Sequence, residues 1–167
     1  VIACSKKIQE YLMEIVTAEI QDCEEIIRLQ RIAYEAEAQL YKDWTLPPLL
    51  QTVDSLQQEL QSSIILKAVE GNKIVGSVRA KLVGDACHIG RLIVHPDFQG
   101  KGIGSKLLEH IEKHFRQANQ FELFTGTKSE GNIRFYMRNG YTISKTQVLT
   151  ENISLVYLVK IPKSSSF

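Results

Sequence analysis

Little in this sequence of 167 residues indicates a metal site, a disulfide framework or a membrane segment. Its three cysteines, Cys4, Cys23 and Cys87, are odd in number and lack metal-ligand spacing, so we expect reduced thiols in a cytoplasmic protein and no metal. No apolar run approaches the ~20 residues that a membrane-spanning helix needs. The first residues lack the layout of a signal peptide. The net charge of +1 argues against a nucleic-acid partner held by a large basic field.

The two common nucleotide-binding loops are also missing. A Walker A loop needs G-x-x-x-x-G-K-S/T, whereas here Gly104 is followed by Ser105 and Lys106. A Rossmann turn needs G-x-G-x-x-G directly after a strand. Gly100 and Gly102 fit that pattern, but Ser105 occupies the place of the third glycine. We therefore expect neither ATP nor NAD as the ligand.

The most informative stretch runs from residue 88 to residue 115. Its β-branched residues 89–94 predict a buried strand, which Pro96 ends because proline cannot donate to a sheet. Three glycines follow within residues 99–104, and apolar residues then recur at helical spacing from Ile103 onward. A strand, a glycine-rich turn and a helix start together predict a phosphate site, since the first helical N–H groups have no internal partner. The alternative is a flexible turn that is merely rich in glycine.

Two motifs in this region resemble those of the GNAT superfamily of N-acetyltransferases. The first resembles the family's acyl-CoA pyrophosphate motif, Q/R-x-x-G-x-G/A. It reads Leu92-x-Val94-His95-Pro96-x-x-Gln99-Gly100-Lys101-Gly102-Ile103-Gly104. Asn132-x-x-x-Tyr136-x-x-x-Gly140-Tyr141 resembles the helix and strand that follow. The resemblance reaches from about residue 15 to 159. It implies one α/β (α+β) domain, with a mixed, mostly antiparallel sheet of about seven strands flanked by about four helices.

The length suits a single domain. We assign residues 13–162 to it, residues 1–12 to an N-terminal extension and residues 163–167 to a tail. The alternative for residues 1–12 is a helix that packs on the domain or on a second subunit.

The resemblance implies acetyl-CoA as the cofactor, with its pantetheine arm in a gap between two parallel strands that splay beside a bulge. Asn132 would bond that arm, and Tyr136 would face the thioester sulfur and act as the general acid. The implied cofactor-binding residues are Leu92, Ile93, Val94, Gln99, Gly100, Lys101, Gly102, Ile103, Gly104, Ser105, Asn132 and Tyr136. In the alternative interpretation, Leu92 and Val94 are core residues of any fold and Tyr136 simply packs.

The general base is not evident from the sequence. Many family members carry a glutamate where this chain has Gly90, and glycine cannot act as a base. Strand alternation puts His88 on the same side as Gly90. His88 could take the proton of the amine through a water, and the alternative is a buried structural histidine.

The acceptor is expected to be the primary amine of a small molecule. In this family the segment between the first two helices walls the acceptor side, and here it is acidic and aromatic, which favours a cationic amine. The residues concerned are Tyr34, Glu35, Glu37, Tyr41, Asp43 and Trp44. A solvated acidic helix face is the alternative. The sequence does not name the acceptor, which could be a polyamine, an amino acid, an antibiotic or a protein N-terminus. A homodimer is possible. The alternative function is a non-catalytic acyl-CoA-binding or regulatory module.

Overall fold

The computed structural model describes residues 13–163. Within these residues, seven strands form one sheet in the order β1–β2–β3–β4–β5–β7–β6. The strands are β1 (Glu14–Thr17), β2 (Ile64–Glu70), β3 (Lys73–Val83), β4 (Ala86–Val94), β5 (Gln120–Gly126), β6 (Thr142–Val148) and β7 (Ser154–Lys160). The helices are α1 (Cys23–Tyr41), α2 (Pro47–Leu50), α3 (Val53–Glu59), α4 (Ile103–His114) and α5 (Glu130–Arg138). No helix in this described part is long and apolar enough to span a membrane.

The predicted fold class is confirmed. Every neighbouring pair of strands is antiparallel except β4 and β5, which run parallel. The described chain has five helices rather than about four, because Pro47 begins the four-residue helix α2. Thr52 caps α3 by accepting a hydrogen bond from the Ser55 N–H at 3.2 Å.

The sheet has a hydrophobic cluster on each face. One cluster contains Leu66 and the apolar side chains of α4, and the other contains Ile65 and the apolar side chains of α1 and α3. Ile65 and Leu66 are adjacent in β2, so their side chains point to opposite faces. The helices therefore form two layers, with α4 and α5 on one face and α1 to α3 on the other.

The predicted domain bounds, 13–162, stay a prediction. The predicted N-terminal extension, residues 1–12, lies outside the described residues, as do residues 164–167 of the predicted tail.

Candidate active site

The two parallel strands at the centre of the sheet separate partway along their length. β4 pairs with β5 only at Ala86, Cys87 and His88. Beyond that point β5 continues to pair with β7 on its other side, whereas the rest of β4 pairs only with β3. A wedge-shaped gap therefore opens between β4 and β5 towards their carboxyl ends.

A β-bulge in β4 lies beside this gap. Ser77 of β3 faces Ile93 and Arg79 faces Gly90, so Arg91 and Leu92 together oppose the single residue between Ser77 and Arg79. Arg91 has a φ of 47°, which is uncommon for a residue other than glycine.

The bulge reverses which residues of β4 face α4. Ile89 belongs to the α4 cluster, and after the bulge Leu92 and Val94 pack against that same cluster. Ile93 belongs to the α1 cluster instead. The sequence prediction did not include Arg91. The spacing of the apolar residues on the α4 face, Ile89 and then Leu92 and Val94, changes from odd to even numbers and is the signal that indicates the bulge.

The backbone of Val94 faces the gap. The neighbouring His95 N–H donates to the Val75 carbonyl of β3 at 2.8 Å. Because backbone groups alternate in direction along a strand, the N–H and C=O of Val94 point to the opposite edge. The side-chain amide of Gln99 donates to the Val94 carbonyl at 3.4 Å, which brings the start of the glycine-rich turn to this edge.

The three glycines of the turn have two different structural roles. Gly100 and Gly102 have φ values of 76° and 80°, which glycine adopts at little cost. A Cβ at either position would meet nothing within 4 Å, so the space beside this backbone is open. Gly104, in the first turn of α4, packs closely, since a Cβ there would lie 3.3 Å from the Phe135 ring. Gly102 is the N-cap of α4, and its N–H groups receive no side-chain cap.

Tyr136 on α5 combines a buried ring with an available hydroxyl. The residue is 9% exposed, and its ring packs edge-on against Phe135 and Tyr141. Among residues 13–163 the hydroxyl has no hydrogen-bond partner, and no side-chain oxygen there is both fully buried and unpaired. The hydroxyl therefore reaches solvent. Burial, with smaller contributions from Tyr34 and Glu37, raises the pKa of Tyr136, so the hydroxyl keeps its proton at neutral pH.

Asn132 lies one helical turn before Tyr136, beside the open end of β5. Its amide donates to the Glu37 carboxylate and to the Thr125 hydroxyl, each at 3.3 Å. The other Glu37 oxygen accepts a hydrogen bond from Ser129 at 2.6 Å. Glu37 thus joins α1 to the start of α5, where a carboxylate is also favoured by the helix dipole.

The predicted acceptor wall is assembled only in part. The Arg91 guanidinium carbon lies over the Tyr34 ring, 6.0 Å from the centroid of that ring. Burial raises the pKa of the Tyr34 hydroxyl. Glu37 is half-buried and accepts hydrogen bonds from Ser129 and Asn132. Glu35 is exposed, and Trp44 is 57% exposed. The structure therefore brings Tyr34 to the bulge, whereas Glu35 and Trp44 stay predictions as acceptor-binding residues.

His88 is not the buried structural histidine of the alternative interpretation. Its side chain is 45% exposed, and its Nε2 lies 2.9 Å from Glu122 Oε2. Phe124, on the same face of β5, is also exposed, so no described helix covers this part of the sheet. His88 belongs to the last paired position of β4 and β5, at the closed end of the gap.

Comparison with known proteins identifies the family. The model of the Acetyltransferase (GNAT) family matches residues 23–141. The UPF0157 protein YqkA of Bacillus subtilis is 25% identical over 139 residues, which are 83% of this chain but 40% of that protein. The chain therefore spans well under half of that relative's length. Spermidine N(1)-acetyltransferase of Thermoplasma acidophilum is 22% identical over 147 residues, 80% of this chain and 91% of that protein.

A solved structure has the same fold. The PaiA N-acetyltransferase of Thermoplasma acidophilum, crystallised in complex with coenzyme A, superposes with a TM-score of 0.76 at 18% identity. The superposition covers 90% of this chain and 99% of that protein. Because the family model spans most of the chain, including the split strands, the glycine-rich turn and the helix of Tyr136, this chain belongs to the GNAT family of acetyltransferases.

Proposed function

We propose that this chain is an acetyl-CoA-dependent N-acetyltransferase that moves an acetyl group to the primary amine of a small molecule by direct attack. The observation that carries the proposal is the gap between β4 and β5, beside which α5 contacts the open end of β5 and holds the Tyr136 hydroxyl. Family membership and a neighbouring structure that contains coenzyme A support it. A relative whose name describes acetylation of spermidine supports a small-molecule amine.

The prediction of acetyl-CoA as the cofactor is confirmed for the family, and the residues of this chain fit that molecule. The gap in the sheet leaves the backbone of Val94 without a neighbouring strand on one side, as a ligand with amide groups requires. Open space borders Gly100 and Gly102, and the uncapped N-terminus of α4 follows them. Unpaired N–H groups at a helix start suit a phosphate.

We assign the cofactor contacts accordingly, as a proposal. The backbone of residues 92–94 would hold the pantetheine arm, and Asn132 would contact the arm from α5. Residues 99–105 would hold the pyrophosphate through their N–H groups.

The mechanism follows from the residues that border the gap. When bound, acetyl-CoA supplies an activated acyl carbonyl and a thiol leaving group. The Val94 N–H at the edge of the gap is positioned to donate to an oxygen that gains negative charge. Tyr136 holds a proton at its hydroxyl and donates it to the leaving sulfur, whose solution pKa of about 8.5 resembles that of cysteine.

We propose that no single carboxylate acts as the base. Gly90 has no side chain, and His88 is paired with Glu122 at the closed end of the gap. Both oxygens of Glu37 accept hydrogen bonds from α5. The amine therefore loses its proton to water, or binds from its own neutral fraction.

A thermal-shift assay with acetyl-CoA, ATP and NAD tests the ligand. We expect stabilisation by acetyl-CoA, because a ligand that binds only the folded state raises the melting temperature. Stabilisation by ATP or NAD alone would show that the assignment is wrong.

Release of free thiol from acetyl-CoA, measured with a panel of amines, tests the reaction. The absence of a side chain at Gly90 favours the second candidate, a non-catalytic acyl-CoA-binding or regulatory module. If acetyl-CoA stabilised the protein but no amine in the panel released thiol, that candidate would replace the enzyme.

A further inference from the structure

A recess lies on the face of the sheet opposite α4, where the bulge meets α2 and α3. Its volume is about 440 Å³, and it is a shallow depression that is open to solvent. The lining residues are Thr45, Pro47, Leu50, Gln51, Ser55, Glu59 and Arg91. Apolar, hydroxyl and amide groups are mixed with two charged side chains. The recess is separate from the glycine-rich turn, because that turn leads into α4 on the other layer.

Arg91 lies in this recess because of the bulge. In an unbroken strand its side chain would lie on the same face as Ile89, towards α4. The bulge with its φ of 47° places it instead over Tyr34 of α1. Among residues 13–163 no carboxylate lies within 4 Å of the Arg91 guanidinium, so its charge is not neutralised by this part of the chain.

Glu59 does not neutralise Arg91, because Glu59 is already engaged. Arg79, which is 7% exposed, donates to one Glu59 oxygen at 2.5 Å. The other Glu59 oxygen accepts a hydrogen bond from Gln51 at 2.7 Å. The charges of Arg79 and Glu59 therefore balance each other, and Arg91 adds one positive charge to the lining of the recess. Burial lowers the pKa of the Arg79 guanidinium. The positive charge of Arg91 nearby lowers it further.

The bulge connects this charge to the gap between β4 and β5. Arg91 lies beyond the last residue of β4 that pairs with β5, so it borders the gap, and the Tyr34 ring of α1 packs against its guanidinium. Because the gap passes through the sheet, an acceptor in the recess can present its amine towards the gap and its other end to Arg91.

We infer that Arg91 binds a carboxylate on the acceptor, so that the acceptor is an amino acid or a similar amine with a carboxylate rather than a polyamine. The inference rests on the proposed function and identifies the substrate class of that site. A guanidinium donates two parallel hydrogen bonds to the two oxygens of a carboxylate. One excess cation also matches the single charge of a carboxylate better than the double charge of a phosphate.

Binding is measured first, because it does not depend on turnover. N-acetyl derivatives of phenylalanine, leucine and 4-aminobutyrate are titrated by calorimetry into the full chain with coenzyme A present. Each is compared with the derivative that lacks the carboxylate: N-acetylphenethylamine, N-acetyl-3-methylbutylamine and N-acetylpropylamine. At least one carboxylate compound should bind about tenfold or more tightly than its partner, the range for hydrogen bonds to charged groups. Equal binding within every pair, or no binding at millimolar concentration, would overturn the inference.

Substitutions assign the preference to Arg91. Arg91→Gln should bring the affinity ratio within the preferred pair close to one, and Arg91→Lys should retain part of it because the charge remains without the fork. Arg31→Gln is the matched control: Arg31 is exposed on α1 and donates to the Gln51 carbonyl at 3.4 Å. It should keep the full ratio. An unchanged ratio in Arg91→Gln, in a variant that melts like the parent and binds coenzyme A, would also overturn the inference.

Thiol release with the free amines separates this inference from the proposed function. The assay compares four amines that carry a carboxylate with the matching amines that lack it. The pairs are phenylalanine and phenethylamine, leucine and 3-methylbutylamine, lysine and 1,5-diaminopentane, and 4-aminobutyrate and propylamine. Phosphoethanolamine tests whether a phosphate replaces the carboxylate. Higher kcat/KM for the carboxylate members supports the inference, whereas faster turnover of diaminopentane or phosphoethanolamine contradicts it. Arg91-dependent carboxylate binding without any thiol release would support the inference and contradict the proposed reaction.

Discussion

The Tyr136 hydroxyl is the only acidic group that we place in the chemistry, so its removal is the most direct test at the scale of a residue. Tyr136→Phe keeps the ring contacts with Phe135 and Tyr141 and removes one oxygen. We expect kcat to fall by ~10²-fold or more, the usual contribution of a positioned acid, while the affinity for acetyl-CoA is retained. Steady-state kinetics and calorimetry with coenzyme A measure the two quantities. Full kcat, where chemistry limits the rate, would remove Tyr136 from the mechanism.

His88 is expected to be dispensable as a base. It is exposed and paired with Glu122 at the closed end of the gap, away from the bulge. His88→Ala should therefore leave the acidic limb of the pH–rate profile in place. A lost or shifted acidic limb would make His88 the base, with Glu122 positioning its ring. Glu122→Gln is the companion variant, because it removes the charge and leaves the histidine.

At the scale of an element, the turn before α4 combines backbone conformation with charge. Gly102→Asp introduces a side chain at a φ of 80° and a negative charge beside the helix start that we assign to the pyrophosphate. We expect loss of coenzyme A binding by calorimetry, with the fold retained by circular dichroism.

Two alanine variants separate charge from backbone strain. Gly102→Ala introduces strain without charge and should weaken binding less than Gly102→Asp. Gly84→Ala is matched in conformation, with a φ of 61° and open space around its Cβ, but lies in the turn between β3 and β4. It should lower stability by about 1 kcal/mol without changing affinity. Equal affinity in Gly102→Asp and the parent would exclude the turn from the cofactor site.

At the scale of the whole molecule, buried thiols and phenols, among them Cys87, Tyr136 and Tyr141, predict an alkaline limit to stability. Burial raises the pKa of the Cys87 thiol from its ordinary 9.0 to about 12. Burial also raises the pKa of Tyr136 and of Tyr141, and the Glu112 carboxylate, which accepts the Tyr141 hydrogen bond at 2.9 Å, acts in the same direction on Tyr141. The folded state keeps these protons at pH values where the unfolded chain releases them.

The stabilisation from these groups is therefore complete below about pH 9 and is lost as the pH rises above it. We expect the urea midpoint to fall between pH 9 and pH 11. Tyr141→Phe removes one such proton and should reduce the slope above pH 10 by up to about 1.4 kcal/mol per pH unit. A urea midpoint that stayed constant from pH 9 to pH 11 would contradict the assigned burial. The cytoplasmic location and a homodimer stay predictions at this scale.

The sequence by itself was sufficient for the features that depend on local interactions. The glycine-rich turn and the apolar face of α4 depend on residues within a few positions of one another. The two motifs were sufficient for the family, and with it the sheet and its two layers. These are properties of periodicity, capping and backbone conformation, which neighbouring residues decide.

The tertiary structure alone decided which side chains meet at the site. Glu37 and Ser129 are 92 positions apart in sequence, and Arg91 reaches Tyr34 only because the bulge reverses its direction. His88 is exposed because no described helix covers that face of β5, which no pattern within β4 indicates. Contacts of this kind depend on how strands diverge and how helices cover a sheet, so they appear only when distant segments pack together.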